Sequence, residues 1–421
     1  MPRHRASLAC LATVLALAGC SPSTRQRPEP PTDVARSALA RDTTPDVDAA
    51  AAEALRVGAT DFALELHRSA GEGENAITSA HSVQVAFGML RHGALGETAA
   101  ELDAALGWDA LPPGALGPAM NALDLALASR AREGVRLDII DQAWAQTGYP
   151  FEAAYLDALA VHHGAGIALW DFASDPDGGR VLINSWVAGI TDGNIDELIP
   201  DEDIITELTR LVLVNAVHFD AAWEVAFDPA HTTDETFTRP DASTVMVPTM
   251  HVTTSAALAE GEGWSALELP YAGGELALLV IEPQGSLSDL EASLDTAGLD
   301  AIVSSLRPSE VRVAMPRFSI GTDLDLIPPM QALGAERVFT PDAELEGIGT
   351  EGDLYVTAAL HSATIEVSEL GTEASAATAV VVGDRSASVP PAFVLDHPFF
   401  FAVRDRQTGA LLFVGRVTDP S

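Results

Sequence analysis

Residues 369–386 read Glu-Leu-Gly-Thr-Glu-Ala-Ser-Ala-Ala-Thr-Ala-Val-Val-Val-Gly-Asp-Arg-Ser and suit two incompatible environments. In extended form Thr372, Ala374, Ala376, Thr378, Val380 and Val382 share one face, small or β-branched and fit to bury. Glu373 and Ser375 point the other way. Yet Ala, Ser and Thr give the segment little hydrophobic reason to be buried at rest. It also runs into Gly383-Asp384-Arg385-Ser386, a polar, cleavable tip before Val389-Pro390-Pro391. A fold that contains it must hold these residues as a loop and also be able to take them as a strand.

The rest of the chain predicts such a fold's body. Leu55, Ala59, Phe62, Ala63 and Leu66 recur at helical spacing within residues 52–70, and a second helix carries Val83, Val85, Phe87 and Leu90. A short third helix is expected over 98–106. Val135, Leu137 and Ile139 alternate with polar neighbours as a half-buried strand does, whereas 211–214 is apolar at every position and predicts a central strand covered on both faces. Further strands are expected at 276–281 and 311–320, and a β-hairpin around the turn 405–409. Helices gather in the first half and strands in the second, so the class is α+β with mostly antiparallel sheets.

The N-terminus has the layout of an export signal: Arg3 and Arg5, an apolar run from Leu8 to Ala18, then Gly19-Cys20. The run is too short to span a membrane and remain there. Residues 1–19 are read as signal, and 20–48, rich in Pro, Ser, Thr, Arg and Asp, as a disordered tether. The single body is expected over 49–421. Cys10 leaves with the signal, so Cys20 has no second cysteine to pair with and no disulfide is expected within the mature chain.

A formal charge of −38, from 61 acidic against 23 basic residues that are all Arg, argues against nucleic acid as a partner. There is no Gly-x-Ser-x-Gly elbow, no Lys for a Ser-x-x-Lys pair and no glycine-rich phosphate loop. His162-His163 has no partner at metal-ligand spacing, and residues 175–178 fall short of an EF-hand loop. Neither an enzyme nor a metal or cofactor binder is therefore expected.

Several motifs in order resemble the serpin family of serine protease inhibitors, over roughly residues 52–419. They are Leu211-Val-Leu-Val-Asn-Ala-Val-His-Phe219 with Trp223 and Phe227, Asp396-His-Pro-Phe-Phe-Phe401 through Arg404-Asp-Arg-Gln-Thr-Gly409 to Phe413-Val-Gly-Arg416, Gly93-Ala-Leu-Gly-Glu-Thr-Ala99, and Ile183-Asn-Ser-Trp-Val187 with Thr191-Asp-Gly193. The segment opening this section resembles the family's hinge and reactive-centre loop. The resemblance implies three mostly antiparallel sheets, eight or nine helices and an exposed loop over about 369–391.

What the resemblance implies about function follows residue by residue. Serpin loop insertion is an established example of strand addition after cleavage. The hinge would comprise Glu369, Gly371, Thr372, Glu373, Ala374, Ser375, Ala376, Ala377 and Thr378, with no large or charged inward side chain to stall insertion. The family interval from Glu369 puts the scissile bond at Arg385–Ser386, and Arg suits the carboxylate of a trypsin-like specificity pocket. Counting back from Pro390-Pro391 instead puts the cut after Ala387, which suits an elastase-like enzyme.

Ser79, Ser82, Asn215 and His361 match the polar cluster called the shutter, with Ala80 in place of the usual Pro. Trp223 and the pair Glu369 with Arg317 match the breach at the sheet top. Arg replaces the usual Lys, which keeps charge but changes geometry. Leu17-Ala-Gly-Cys20 resembles a bacterial lipobox, implying a lipid on Cys20 and an outer-membrane or cell-surface location; the alternative is an ordinary signal peptide cut elsewhere and a secreted chain. The expected partner is a trypsin-like protease, with no cofactor and a monomeric state; a glycan activator is not expected, since the trio Arg130, Arg132 and Arg136 is the one cluster of arginines. A non-inhibitory binding or chaperone-like protein of the same fold is the alternative.

Overall fold

The computed structural model describes residues 33–421 apart from 72, 192, 194, 196, 202, 350–353 and 373–388, and, within two strands, leaves out the side chains of 138–141 and 216–218. The expectations for Cys20, for Glu373 to Thr378, and for Arg385, Ser386 and Ala387 lie outside the described residues. The described residues hold nine α-helices: α1 (Ala49–Ser69), α2 (Ala80–Arg91), α3 (Gly96–Ala105), α4 (Leu116–Ala128), α5 (Ala153–Ala158), α6 (Pro176–Ile190), α7 (Leu287–Ser293), α8 (Thr296–Ser305) and α9 (Ile327–Ala332).

Local chemistry explains where the helices begin. The Asp48 carboxylate accepts the Ala51 N–H at 2.7 Å and caps α1, whose buried stripe includes Leu55, Phe62, Ala63 and Leu66. Helix α2 is buried at every residue from Ala80 to Leu90. A helix without a wet face belongs between layers, and its core cluster joins residues of both sheets, Leu213 and Ala359 on one side, Phe400 and Val414 on the other.

The first sheet has seven strands in the order β1 (Val34–Ala35), β4 (Ile167–Trp170), β3 (Val135–Gln146), β5 (Leu211–Ala222), β13 (Gly371–Thr372), β12 (Ala358–Val367) and β11 (Phe318–Asp325). As expected, 211–214 is covered on both faces. Leu211 and Leu213 pack in the α2 cluster, and Val212 and Val214 pack against Trp144, Ile183 and Val187 under α6.

The second sheet runs β14 (Ala392–Val394), β10 (Arg307–Pro316), β7 (Thr244–Gly261), β8 (Trp264–Pro270), β9 (Leu276–Pro283), β15 (Phe399–Asp405), β16 (Leu411–Val417) and β2 (Ala76–Thr78), with β6 (Thr233–Thr238) paired to β7. The 18-residue β7 pairs with β6 and β10 along most of its length and with β8 at its end. That long strand merges what would otherwise be two sheets into one network.

One expectation is corrected. Residues 33–48, read as tether, lie on the body. Val34 and Ala35 pair with Ala168 and Ile167 and cover the edge of β4. Beyond them the Ser37 hydroxyl donates to Asp157 at 2.5 Å, and Arg41 donates to Asn121 at 2.7 Å. Edge pairing, polar contacts and two isolated apolar side chains, Ala35 and Val47 packed against the core, do the anchoring, none of which needs the apolar periodicity that the sequence lacks. Among the described residues no helix is long and apolar enough to cross a membrane.

Candidate loop-insertion site

Strands β5 and β12 are parallel neighbours, paired from Val212 with Ala358 to Val217 with Ala363. Above that point β13 separates them and lies antiparallel to both, with Thr372 opposite Val367 on one side and Ala221 on the other. The chain reverses between β12 and β13 in a tight turn. The Ser368 N–H donates to the Gly371 carbonyl at 2.9 Å, and the Gly371 N–H returns to the Ser368 carbonyl at 3.3 Å. Gly371 has φ +151°, and a Cβ there would lie 2.0 Å from the Ala221 carbonyl oxygen. Only glycine lets the hinge come this close to β5.

The breach residues converge on this turn. The Trp223 indole N–H donates to the Ser368 carbonyl at 2.9 Å, its backbone N–H to Leu370 at 3.0 Å, and the Phe227 N–H to Glu369 at 2.8 Å. The Glu369 carboxylate is buried and accepts Arg317 Nε at 2.8 Å and the Thr232 hydroxyl at 2.5 Å. Burial works against its charge, but the bonds from Arg317 and Thr232 hold its pKa below the ordinary Glu value. Trp223 stacks on Tyr271 with centroids 4.6 Å apart and planes 7° from parallel, and the Tyr271 hydroxyl meets Thr372 Oγ1 at 2.8 Å. Burial pushes the Tyr271 phenol up, so it stays a neutral hydrogen-bonding group.

Tyr271 and Thr232 escaped the sequence reading. Nothing in their spacing marks them, since they come from the ends of other strands. The available signal was type alone: a tyrosine closing an apolar strand brings a polar tip that needs a partner.

The shutter residues come together only in part. His361 and Asn215 face each other across β12 and β5, and the Ser79 N–H donates to His361 Nε2 at 3.0 Å. A backbone N–H must donate, so Nε2 is the bare nitrogen and Nδ1–H donates to Asn215 Oδ1, also at 3.0 Å. Burial pushes the His361 pKa down to about 4, which keeps the ring neutral. Ser79 thus acts here through its backbone, and the buried Ser82 hydroxyl has no partner among the described residues. The network holds together the two strands that an inserting segment would have to part.

Comparison with known proteins bears on what this junction is. The family profile Serpin (serine protease inhibitor) matches residues 57–420. Human neuroserpin is 30% identical over 363 residues, covering 84% of this chain and 88% of the relative. An uncharacterised serpin-like protein of Thermococcus kodakarensis is 34% identical over 367 residues, covering 85% and 84%. Among solved structures, the thermophilic serpin tengpin in its native state superposes with a TM-score of 0.79 at 26% identity, covering 91% of this chain and 97% of that one. With its fold and these relatives in agreement, the chain belongs to the serpins, a family of serine protease inhibitors and not of enzymes.

Proposed function

We propose that this chain is a suicide-substrate inhibitor of a trypsin-like serine protease. The observation that carries the reading is the position of Gly371–Thr372, antiparallel between two strands that are otherwise parallel neighbours. Continuing that register downward replaces one parallel ladder with two antiparallel ones, the more stable pairing. At ~0.5–1.5 kcal/mol net per hydrogen bond, some fourteen added residues contribute on the order of 10 kcal/mol, comparable to a domain's whole stability.

The chemistry belongs to the protease. Its serine attacks the Arg385 carbonyl, the amine of Ser386 leaves, and Arg385 remains as an acyl ester. Insertion then carries the attached enzyme roughly 50 Å at ~3.3 Å per residue and pulls its oxyanion hole out of register, so deacylation stalls. Small side chains at Ala374, Ala376 and Thr378 keep insertion faster than hydrolysis. The same reading includes export with a lipid on Cys20, which radiolabelled palmitate would report and Cys20→Ala would abolish.

Incubation with trypsin followed by denaturing electrophoresis tests the proposal. An SDS-resistant conjugate is expected, with Ser386 at the new N-terminus of the released fragment. A fragment starting at Ser388 would mean cleavage after Ala387 and an elastase-like target. Thr372→Arg forces a charge into a buried position and should give cleaved bands without conjugate. Cleaved bands alone from the wild type would leave a non-inhibitory member of the family, and full trapping by Thr372→Arg would overturn the hinge argument.

A further inference from the structure

Away from the insertion site, Glu282 at the end of β9 meets Asp396 and His397 in the connection between β14 and β15. His397 Nε2 lies 3.1 Å from the Pro283 carbonyl oxygen. A carbonyl only accepts, so Nε2 carries the hydrogen and Nδ1 is the lone-pair nitrogen of the neutral ring. That nitrogen faces two carboxylate oxygens, Asp396 Oδ1 at 2.9 Å and Glu282 Oε1 at 3.3 Å. Two carboxylates and a backbone carbonyl face the ring, so either a second proton on His397, whose pKa they raise against its burial, or a cation must sit among the three atoms. Glu282 Oε1 is buried and has no hydrogen-bond partner among the described residues, and burial raises its pKa to about 7, so its charge needs a cation or a proton beside it.

The spacing fits a particular kind of occupant. Two ligands each ~2.0–2.2 Å from one ion, at octahedral to tetrahedral angles, are about 2.9–3.5 Å apart. Both measured distances fall in that range, and the three ligand atoms all lie within 4.8 Å of one another. A larger ion such as calcium needs longer bonds and six or more oxygens. One imidazole with two carboxylates suits a borderline divalent transition ion, and a backbone carbonyl on the far ring nitrogen is the usual orienting contact of a metal-bound histidine. Asp396 is well exposed and gives the ion a way in.

We propose that Glu282, Asp396 and His397 bind one zinc-like divalent cation, with water in the remaining positions. The ion ties the end of β9 to the segment just after β14, which pairs in parallel with β10 and receives the C-terminal end of the reactive loop. It therefore fastens the loop's far anchor, at the opposite end from the hinge. Sequence spacing at His162-His163 gave no metal signal. This set is assembled only by tertiary structure, from a strand end and a connection far apart in the chain.

The test uses the untagged chain stripped with chelator and titrated with zinc chloride at neutral pH by calorimetry. One ion per chain with micromolar or tighter affinity is expected, and cobalt chloride should give visible ligand-field bands. The near-isosteric Glu282→Gln should weaken binding tenfold or more, as should His397→Gln. His92 stacks on His162 and lies 3.1 Å, Nε2 to Nε2, from His163, and His163→Gln in this separate cluster should leave binding unchanged. Should His397→Gln fail to fold, Glu282→Gln and the cobalt spectrum of the unaltered protein decide. A proton alone fills the gap, and the proposal fails, if zinc shows no saturable binding. It fails equally if Glu282→Gln binds like wild type, or if His163→Gln abolishes binding.

Discussion

The β5–β12 junction and the β15–β16 hairpin are both buried strand pairs, yet they are made of opposite materials. The hairpin is antiparallel, every residue of both strands is buried, and Phe399, Phe400 and Phe401 fill its faces. Its turn is locked by Asp405, which accepts Arg130 Nε at 2.6 Å and the Thr408 N–H at 2.7 Å. The junction is parallel, spans six pairs, and carries His361 and Asn215 hydrogen-bonded across its middle, with the partnerless Ser82 hydroxyl in α2. A packed phenylalanine has no second partner to exchange to, whereas a hydrogen bond can be re-made with a new strand. The first pair has nothing to exchange, and the second carries the hydrogen bonds that the proposed insertion would have to re-make.

The largest expected effect tests the closed pair. Phe401→Ala should cost about 3–5 kcal/mol in denaturant unfolding. A loss under about 1 kcal/mol would show that the hairpin is no firmer than the junction.

Acid should act on the other pair. The His361 pKa is depressed to about 4 by burial, against 6.5 for a free ring. As pH falls the unfolded chain takes up this proton first, so stability is full above about pH 6.5 and is lost toward pH 4, by about 3 kcal/mol. Burial also depresses His92, to about 3, and His163, to about 4, so both add to the loss in the same window. His361→Gln should therefore flatten the pH profile of the melting temperature without levelling it. An unchanged profile would remove His361 from the account.

At the breach, Arg317→Ala leaves Glu369 buried with only Thr232 to serve its charged oxygen. Because the arginine is nearly half exposed and solvent screens the pair, a cost of about 1 kcal/mol is expected in equilibrium unfolding. Tyr271→Phe deletes the bond to Thr372 and should cost about 0.5–1.5 kcal/mol. Its sharper reading is hydrogen exchange at the Thr372 amide, which should quicken if β13 is held in the sheet by that hydroxyl. Unaltered exchange would mean that backbone pairing alone seats the hinge.

Much of the scaffold was legible because its residues are periodic. The stripe of Leu55, Phe62, Ala63 and Leu66, the continuous run Leu211 to Val214, and the alternation about the last hairpin each name an element and its buried face. Trp223, Arg317, Glu369 and His361 were legible only through the order of the family motifs, and the structure does join the first three to one turn. Two readings fell short for physical reasons. Ser79 meets His361 through its backbone, which side-chain identity does not reveal. Residues 33–48 dock by a two-residue edge pairing, scattered polar contacts and the lone Val47, which leave no periodic hydrophobic pattern.

By itself the sequence determined that a segment fit for either loop or strand sits beside a central strand wrapped in apolar residues. Side-chain size and alternation are local properties and survive in any context. Only the tertiary structure decided that β5 and β12 run parallel with the hinge wedged between them, and that Tyr271 closes over Thr372. It also brought Glu282 to His397. Those contacts join residues distant in the chain, so their geometry comes from how the layers pack and not from any spacing along the sequence.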